Sequence, residues 1–332
     1  MSKTEDRRQK IFEVYKANLN LIIDLGSLKG KKDFYICPIC LKPHKDLNSL
    51  DPLTLEDAPP KSLGGKANTL TCKSCNNTAG HKIDFHLAER LRELDNAKFL
   101  PGTEMNVKIK IGNETLQGTV SVEADGTMQI IHSKKNNHPE ILEQKMKELK
   151  GGMTIDMDFL KSRVIPDNLE YALLKTGYML AFEKFGYSFI LDSNYDIVRE
   201  QLQNPEKRIY PEGFWLSPPY PKSMSGVYFI MDKGLECLLA LFNLDTGKTE
   251  RLFGTLLPLP IHSIDKVINE LNKKFEKEKT IELTLYPLEQ GDTSYLTDID
   301  QINAMYKWMS ERKTFANIGI ADAGKKTATQ KV

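Results

Sequence analysis

Four of the five cysteines in this chain of 332 residues fall into two C-x-x-C pairs, "CPIC" at 37 to 40 and "CKSC" at 72 to 75. Each pair makes a tight turn that aims two thiolates at one point. Two such turns supply the tetrahedral sulfur set that zinc takes at about 2.3 Å. Cys37, Cys40, Cys72 and Cys75 are therefore read as ligands of a structural Zn²⁺, the alternative for the same spacing being a redox or disulfide pair. Four thiolates leave no open coordination position, so such an ion staples the chain and does not catalyse. The fifth cysteine, Cys237 in "LECLLALF", reads as a small buried hydrophobe.

Between Cys40 and Cys72 lie 31 residues, where a simple zinc ribbon has about 15 to 20. Something is folded between the knuckles. The insert runs "PLTL", the acids Glu56 and Asp57, the proline and glycine stretch "APPKSLGGKAN", and "TLTC" into the second pair. Strand, loop, strand and then a helix after Cys75 is the order implied. It sets Glu56 and Asp57 at a strand end, facing the helix start with Asn76, Asn77 and His81.

At these residues the sequence resembles the HNH endonucleases of the ββα-metal superfamily, in particular the subgroup pinned by two C-x-x-C knuckles around zinc. The resemblance rests on the first knuckle, the "LTLED" strand with its "PPKSLGG" loop, Asn68 in "ANTLTC" and the C-x-x-C-N entry into a helix. It covers roughly residues 34 to 92. It implies a loop-borne base that activates water, a loop-bracing asparagine at Asn68, and a helix residue that helps hold a divalent metal at the scissile phosphate. Asp57, Asn68, Asn76 and His81 become the catalytic candidates, and Glu56 and Asn77 the ligands of the catalytic cation. As hard oxygen and nitrogen donors these groups suit Mg²⁺ or Mn²⁺. The implied reaction is phosphodiester hydrolysis in DNA, with RNA a possible substrate. Lys61, Lys66, Lys73 and Lys82 surround the loop and helix start as phosphate contacts, ordinary solvated surface being the alternative for each.

The sequence departs from that family at one position, because Asp57 stands where the base histidine is usual. An aspartate of pKa about 3.9 is a weaker base at neutral pH than a histidine near 6.5. Three readings stay open: slower turnover or metal-bound hydroxide at Asp57, an imidazole supplied by His81, or a module that no longer cuts and only binds nucleic acid or protein. Asp84 and His86 are candidates to orient His81. His44 decorates the first knuckle, and His132, His138 and His262 stand alone.

The elements that must position these residues follow from periodicity. Residues 4 to 25 carry Ile11, Val14, Tyr15, Leu19, Ile22 and Ile23 at helical spacing, with Gly26 as the stop. From 104 the pattern alternates through "MNVKIKI", "TLQGTVSVEA" and "TMQIIHS", and a lysine-rich helix falls near 139 to 150. "GGMTIDMDF" reads as a strand, and "DNLEYALLKTGYMLAFEKFG" as a core helix capped by Asp167 or Asn168 and stopped by Gly186. "YDIVREQLQNP" suits a short helix. Strands are expected at "GVYFIMD", "LECLLALFNL", "ERLFGTLLPL" and "TIELTLYPL", and helices near 263 to 278 and 298 to 312. The segment from 204 to 226, with "YPEGFWLSPPYP", is either a recognition loop or a crossing loop that buries Phe214 and Trp215.

The fold class expected is α+β: an N-terminal helix over 1 to 30, a small zinc-stapled ββα-metal module over 31 to 98, a larger α+β domain with antiparallel strands over 99 to 320, and a disordered tail over 321 to 332. A net charge of +1 gives no whole-protein field for drawing in nucleic acid, so any such binding needs a local patch. No signal peptide and no run of about 18 apolar residues appears, so a cytoplasmic protein without a membrane span is expected. The expected function is a metal-dependent HNH-type endonuclease acting on DNA, in a setting such as restriction or phage defence. The alternative is a catalytically inactive zinc-binding module that recognises nucleic acid or a protein partner. A structural zinc domain serving an unrelated C-terminal activity is a third.

Overall fold

The computed structural model describes residues 2–26, 28, 30–132, 134–152, 154–260, 262–278, 281–287 and 294–314, and the tail from 321 lies outside them. In chain order the elements are α1 (Lys3–Asp24), β1 (Tyr35–Ile36), β2 (Pro43–His44), β3 (Leu53–Ala58), β4 (Lys66–Cys72), α2 (Lys73–Ala79), α3 (Phe85–Asn96), β5 (Glu104–Ile111), β6 (Glu114–Val122), β7 (Met128–Ile131), α4 (Pro139–Glu148), β8 (Asp156–Phe159), α5 (Pro166–Phe185), α6 (Tyr187–Ile190), α7 (Asp196–Gln203), β9 (Trp215–Leu216), β10 (Gly226–Ile230), β11 (Cys237–Asp245), β12 (Glu250–Leu257), α8 (Ile264–Glu278), β13 (Leu285–Pro287) and α9 (Ile299–Thr314). A π turn, Gly80–Asp84, joins α2 to α3. The sheets are antiparallel throughout, so the chain is α+β. No described helix is long and apolar enough to cross a membrane.

Contacts divide the chain into two compact units, Met1–Ala88 with Ile165–Val332, and Glu89–Val164. The cysteine segment and the chain after Ile165 thus form one unit, whereas the sequence-based divisions fall at 30, 98 and 320. The reason is α5. This helix is buried on nearly every side, and it packs on β11 and β12, on the β3–β4 hairpin, on the π turn and on α6 and α7. Its first residue is Pro166, whose fixed φ suits a first helical turn, and its cap is Ile165 and not Asp167 or Asn168. Gly186 ends it at φ +56°, with an added Cβ only 2.3 Å from Asn18 Oδ1.

Within the same unit, a five-stranded sheet runs in the order β13-β10-β11-β12-β9. The 204 to 226 segment is a crossing loop that buries Phe214 fully and sets Trp215 in β9 against Phe253. Helix α1 starts at Ser2, which forms a capping box with Glu5, and buries Phe12, Tyr15, Leu19 and Ile22. Val14, expected on that face, points to solvent. Residues 280 and 288 of the expected strand "TIELTLYPL" lie outside the described residues, and only Leu285–Pro287 pair, with β10.

The second unit is a four-stranded sheet, order β7-β6-β5-β8, with α4 packed on one face. Alternation along β5 sends Val107, Ile109 and Ile111 into a core shared with Leu116, Val120 and Leu142, while Asn106, Lys108 and Lys110 face solvent.

Candidate functional site

The two knuckles are built from different local geometry. In the first, β1 and β2 are two residues each, and the turn between them places Leu41 at φ +57° while its N–H donates to the Cys37 carbonyl at 2.9 Å. Strands this short cannot satisfy their own backbone, and tyrosine hydroxyls do so from the C-terminal half. Tyr187 Oη accepts from Ile36 N–H and donates to the Ile36 carbonyl, both at 2.8 Å, and Tyr178 Oη donates to the Pro38 carbonyl at 2.6 Å. In the second knuckle, Cys72 ends β4 in an extended conformation and begins α2, so Cys75 follows on the first helical turn.

The four ligand sulfurs all lie within 4.8 Å of one another, and Cys40 Sγ stands 3.7 Å from Cys72 Sγ. A tetrahedron with metal–sulfur bonds of about 2.3 Å has edges of about 3.8 Å, so the donor set fits an ion such as zinc. Cys72 N–H also donates to Cys37 Sγ at 3.4 Å, an arrangement that favours thiolate. Hydrogen bonding from Cys37 draws Cys72 down to about 5, and Cys40 is likewise lowered, while Cys37 and Cys75 are pushed up. Four thiolates so close cannot all ionise without a cation among them. Among the described residues this is the one group of three or more Cys, His, Asp or Glu side chains gathered tightly enough to hold an ion.

The insert folds as expected into a hairpin followed by a helix. A bulge opposite Glu56 and Asp57 takes up Asn68, because Glu56 pairs with Thr69 and Asp57 with Ala67. The connecting loop turns back on itself through Gly64 at φ +84° and Gly65, where a Cβ would lie 1.5 Å from the Pro59 carbonyl oxygen. Only glycine fits there.

The acids at the bulge part company. Asp57 is half-buried, and its carboxylate makes no hydrogen bond or ion pair among the described residues. Burial first, then Glu56, raises its carboxyl pKa, and Lys61, Lys175 and Arg7 oppose the rise. Glu56, by contrast, is 2% exposed. It does not face the start of α2. Its Oε1 lies 2.5 Å from Nζ of Lys175 on α5, and its Oε2 accepts from Thr71 Oγ1 at 2.9 Å. The same ammonium lies 2.5 Å from Asp84 Oδ2. Burial alone would lower the Lys175 pKa, but Glu56 and Asp84 outweigh it and the group stays protonated. Burial pushes Asp84 up to about 6 against the pull of Lys175, and its Oδ1 is buried with no partner among the described residues.

The asparagines brace the hairpin. Asn76 donates at 2.9 Å to both Thr54 Oγ1 and the Leu55 carbonyl, which ties α2 to β3. Asn68 accepts from Arg7 at 2.9 Å and donates to Glu183 Oε1 at 2.6 Å, so α1 and α5 both grip the bulge. Asn77, His81, Lys61, Lys66, Lys73 and Lys82 are exposed. His81 shares no hydrogen bond or ion pair with Asp57 among the described residues. Asp84 and His86 turn away from it as well: Asp84 is taken by Lys175, and His86 Nδ1 accepts from the Ile165 N–H at 3.2 Å. His44 is buried beside the first knuckle, with Nδ1 2.9 Å from Ser49 Oγ.

Two residues of this neighbourhood escaped the sequence reading, Lys175 and Arg7. The signal for Lys175 was present: a lysine followed by a threonine in the middle of "YALLKTGYMLAF", a helix apolar on nearly every side. A charge there needs a buried counter-charge. Arg7 left no comparable mark in a charged helix start. No protein-family model, no curated protein and no solved structure matches this chain.

Proposed function

We propose that residues 34 to 92 form an HNH-like ββα module, stapled by a structural zinc ion, that engages nucleic acid, DNA foremost, without metal-dependent cleavage. The observation that carries this reading is the ion pair of Glu56 with Lys175: the strand acid that the resemblance assigns to a catalytic Mg²⁺ or Mn²⁺ is already neutralised inside the protein. The groups left to meet a ligand are cations on the surface of the module, Lys61, Lys66, Lys73 and Lys82. Such groups suit a phosphate backbone, with an affinity that falls as salt rises.

A second reading, metal-dependent endonuclease, draws on Asp57. It is half-buried beside the loop, and its carboxylate is free of hydrogen-bond partners among the described residues, as that of a base or ligand would be. Plasmid incubated with zinc-loaded protein in Mg²⁺, Mn²⁺, Ni²⁺ or EDTA, alongside fluorescence anisotropy on labelled duplex, separates the two. Salt-dependent binding that survives Asp57→Ala and His81→Ala, with no nicking in any metal, is the expected result. Nicking that needs a metal and disappears in Asp57→Ala would install the endonuclease reading instead. Absence of any binding to DNA or RNA would overturn both and leave a protein partner.

A further inference from the structure

Glu56 comes from β3, Asp84 from the π turn that follows α2, and their carboxylate oxygens converge on one point at 2.5 Å from each. Two carboxylates brought together in a buried place repel each other and demand a cation. The distance from that point to each oxygen falls within the roughly 2.3 to 2.6 Å that calcium keeps to oxygen and is longer than the roughly 2.0 to 2.1 Å of magnesium. The point is occupied by the Lys175 ammonium, delivered from α5 on a side chain only 2% exposed. We propose that Lys175 is a built-in cation: it fills a two-carboxylate position that would otherwise take a hard divalent ion, and it keeps such an ion out.

Two further features define the place as a cation position and not a chance surface pair. Thr71 Oγ1 donates to the second oxygen of Glu56 and fixes the plane of that carboxylate. Asp84 Oδ1 is buried and unpaired among the described residues. An ammonium carries one positive charge against two carboxylates, so the match is incomplete, in keeping with the raised pKa of Asp84. The other charged group that acts on Asp84 is Asp57, on the same strand as Glu56, and Lys61 in the loop and Arg7 on α1 act in turn on Asp57. Arg7 and Lys61 are both exposed, and neither can replace a buried counter-charge. The inference rests on the same ion pair as the functional reading but not on DNA binding, so a failed binding assay leaves it standing.

The test uses the full, zinc-loaded chain and Mn²⁺ alone, with bound and free ion separated by electron paramagnetic resonance. Wild type is expected to bind no Mn²⁺ that Glu56→Gln removes. Lys175→Met is expected to gain a Mn²⁺ site, to lose it again in Lys175→Met/Glu56→Gln, and to gain Tm on Mn²⁺ addition where wild type does not. If Lys175→Met does not fold in metal-free buffer, recovery of its native circular dichroism on Mn²⁺ addition supports the proposal, and failure to recover overturns it. A folded Lys175→Met that takes up no Mn²⁺ would overturn it too. So would Glu56-dependent Mn²⁺ binding by wild type, which needs no variant at position 175.

Discussion

One hairpin carries two charge centres, and they are solved in opposite ways. At the end of β4, Cys72 joins three other thiols around a point that the chain leaves for an ion to fill. At the bulge, Glu56 meets Asp84 around a point that the chain fills itself with Lys175. The ligands of the first centre lie within two four-residue motifs, and the second draws on residues more than 100 positions apart. The difference teaches where the cation comes from in each case. A soft sulfur set suits an ion such as zinc taken from solution, whereas the carboxylate pair beside a core helix meets an ammonium tethered to the chain itself.

Removing the ion from the first centre should have the largest effect. A structural zinc site contributes on the order of 10 kcal/mol or more to the folding of its module. Cys72→Ser or prolonged chelation should therefore abolish the native signal of residues 34 to 92, read by zinc content and amide exchange. If the module keeps its protection without zinc, the first centre is not the staple. At the second centre, Lys175→Met strands two buried carboxylates and should cost about 3 to 5 kcal/mol in urea denaturation without divalent ions. Equal tolerance of the two losses would erase the contrast between an imported and a built-in cation.

Smaller changes sharpen it. Tyr187→Phe deprives both the N–H and the carbonyl of Ile36 of their partner and should cost about 1 to 3 kcal/mol, with zinc still bound. Asp84 gives the second centre a pH dependence. Its folded pKa of about 6 lies above the roughly 3.9 of an unfolded aspartate, so folding favours its protonated form. That contribution is complete below about pH 4 and is lost as pH rises through 6. Denaturation of Asp84→Asn across this range should lack the corresponding decline, and an unchanged profile would remove Asp84 from the account. The smallest effect belongs to an ion pair of similar span at the surface. Lys110 and Asp158 meet at 2.7 Å on the open face of the second unit, each about half exposed, and Lys110→Gln should leave the Tm where it was.

Much of the secondary structure was legible because periodicity is local. The alternation of β5, the helical repeat of α1 and the strand, loop, strand order between the cysteine pairs all appear where the residues imply them, while the helix expected after Cys75 already begins at Lys73, inside the second pair. The cap of α5 was misplaced because Asp167 and Asn168 are strong cap types, while the proline before them already fits the first turn. Glu56 was misread for a different reason. Its neighbours in sequence are a loop and a helix start, but the bulge and the burial of its strand turn it toward α5.

By itself the sequence located the four-sulfur centre, since two C-x-x-C pairs present their thiols in pairs whether the backbone is a turn, as at Cys37, or a strand running into a helix, as at Cys72. It also determined the glycine-bearing loop, where only residues without a Cβ can close the chain. Only the tertiary structure decided what the acids of that hairpin do. A carboxylate has no fixed role until a partner is chosen for it, and here the choice fell to a lysine on a distant core helix, because a charge buried among apolar side chains must find its opposite nearby.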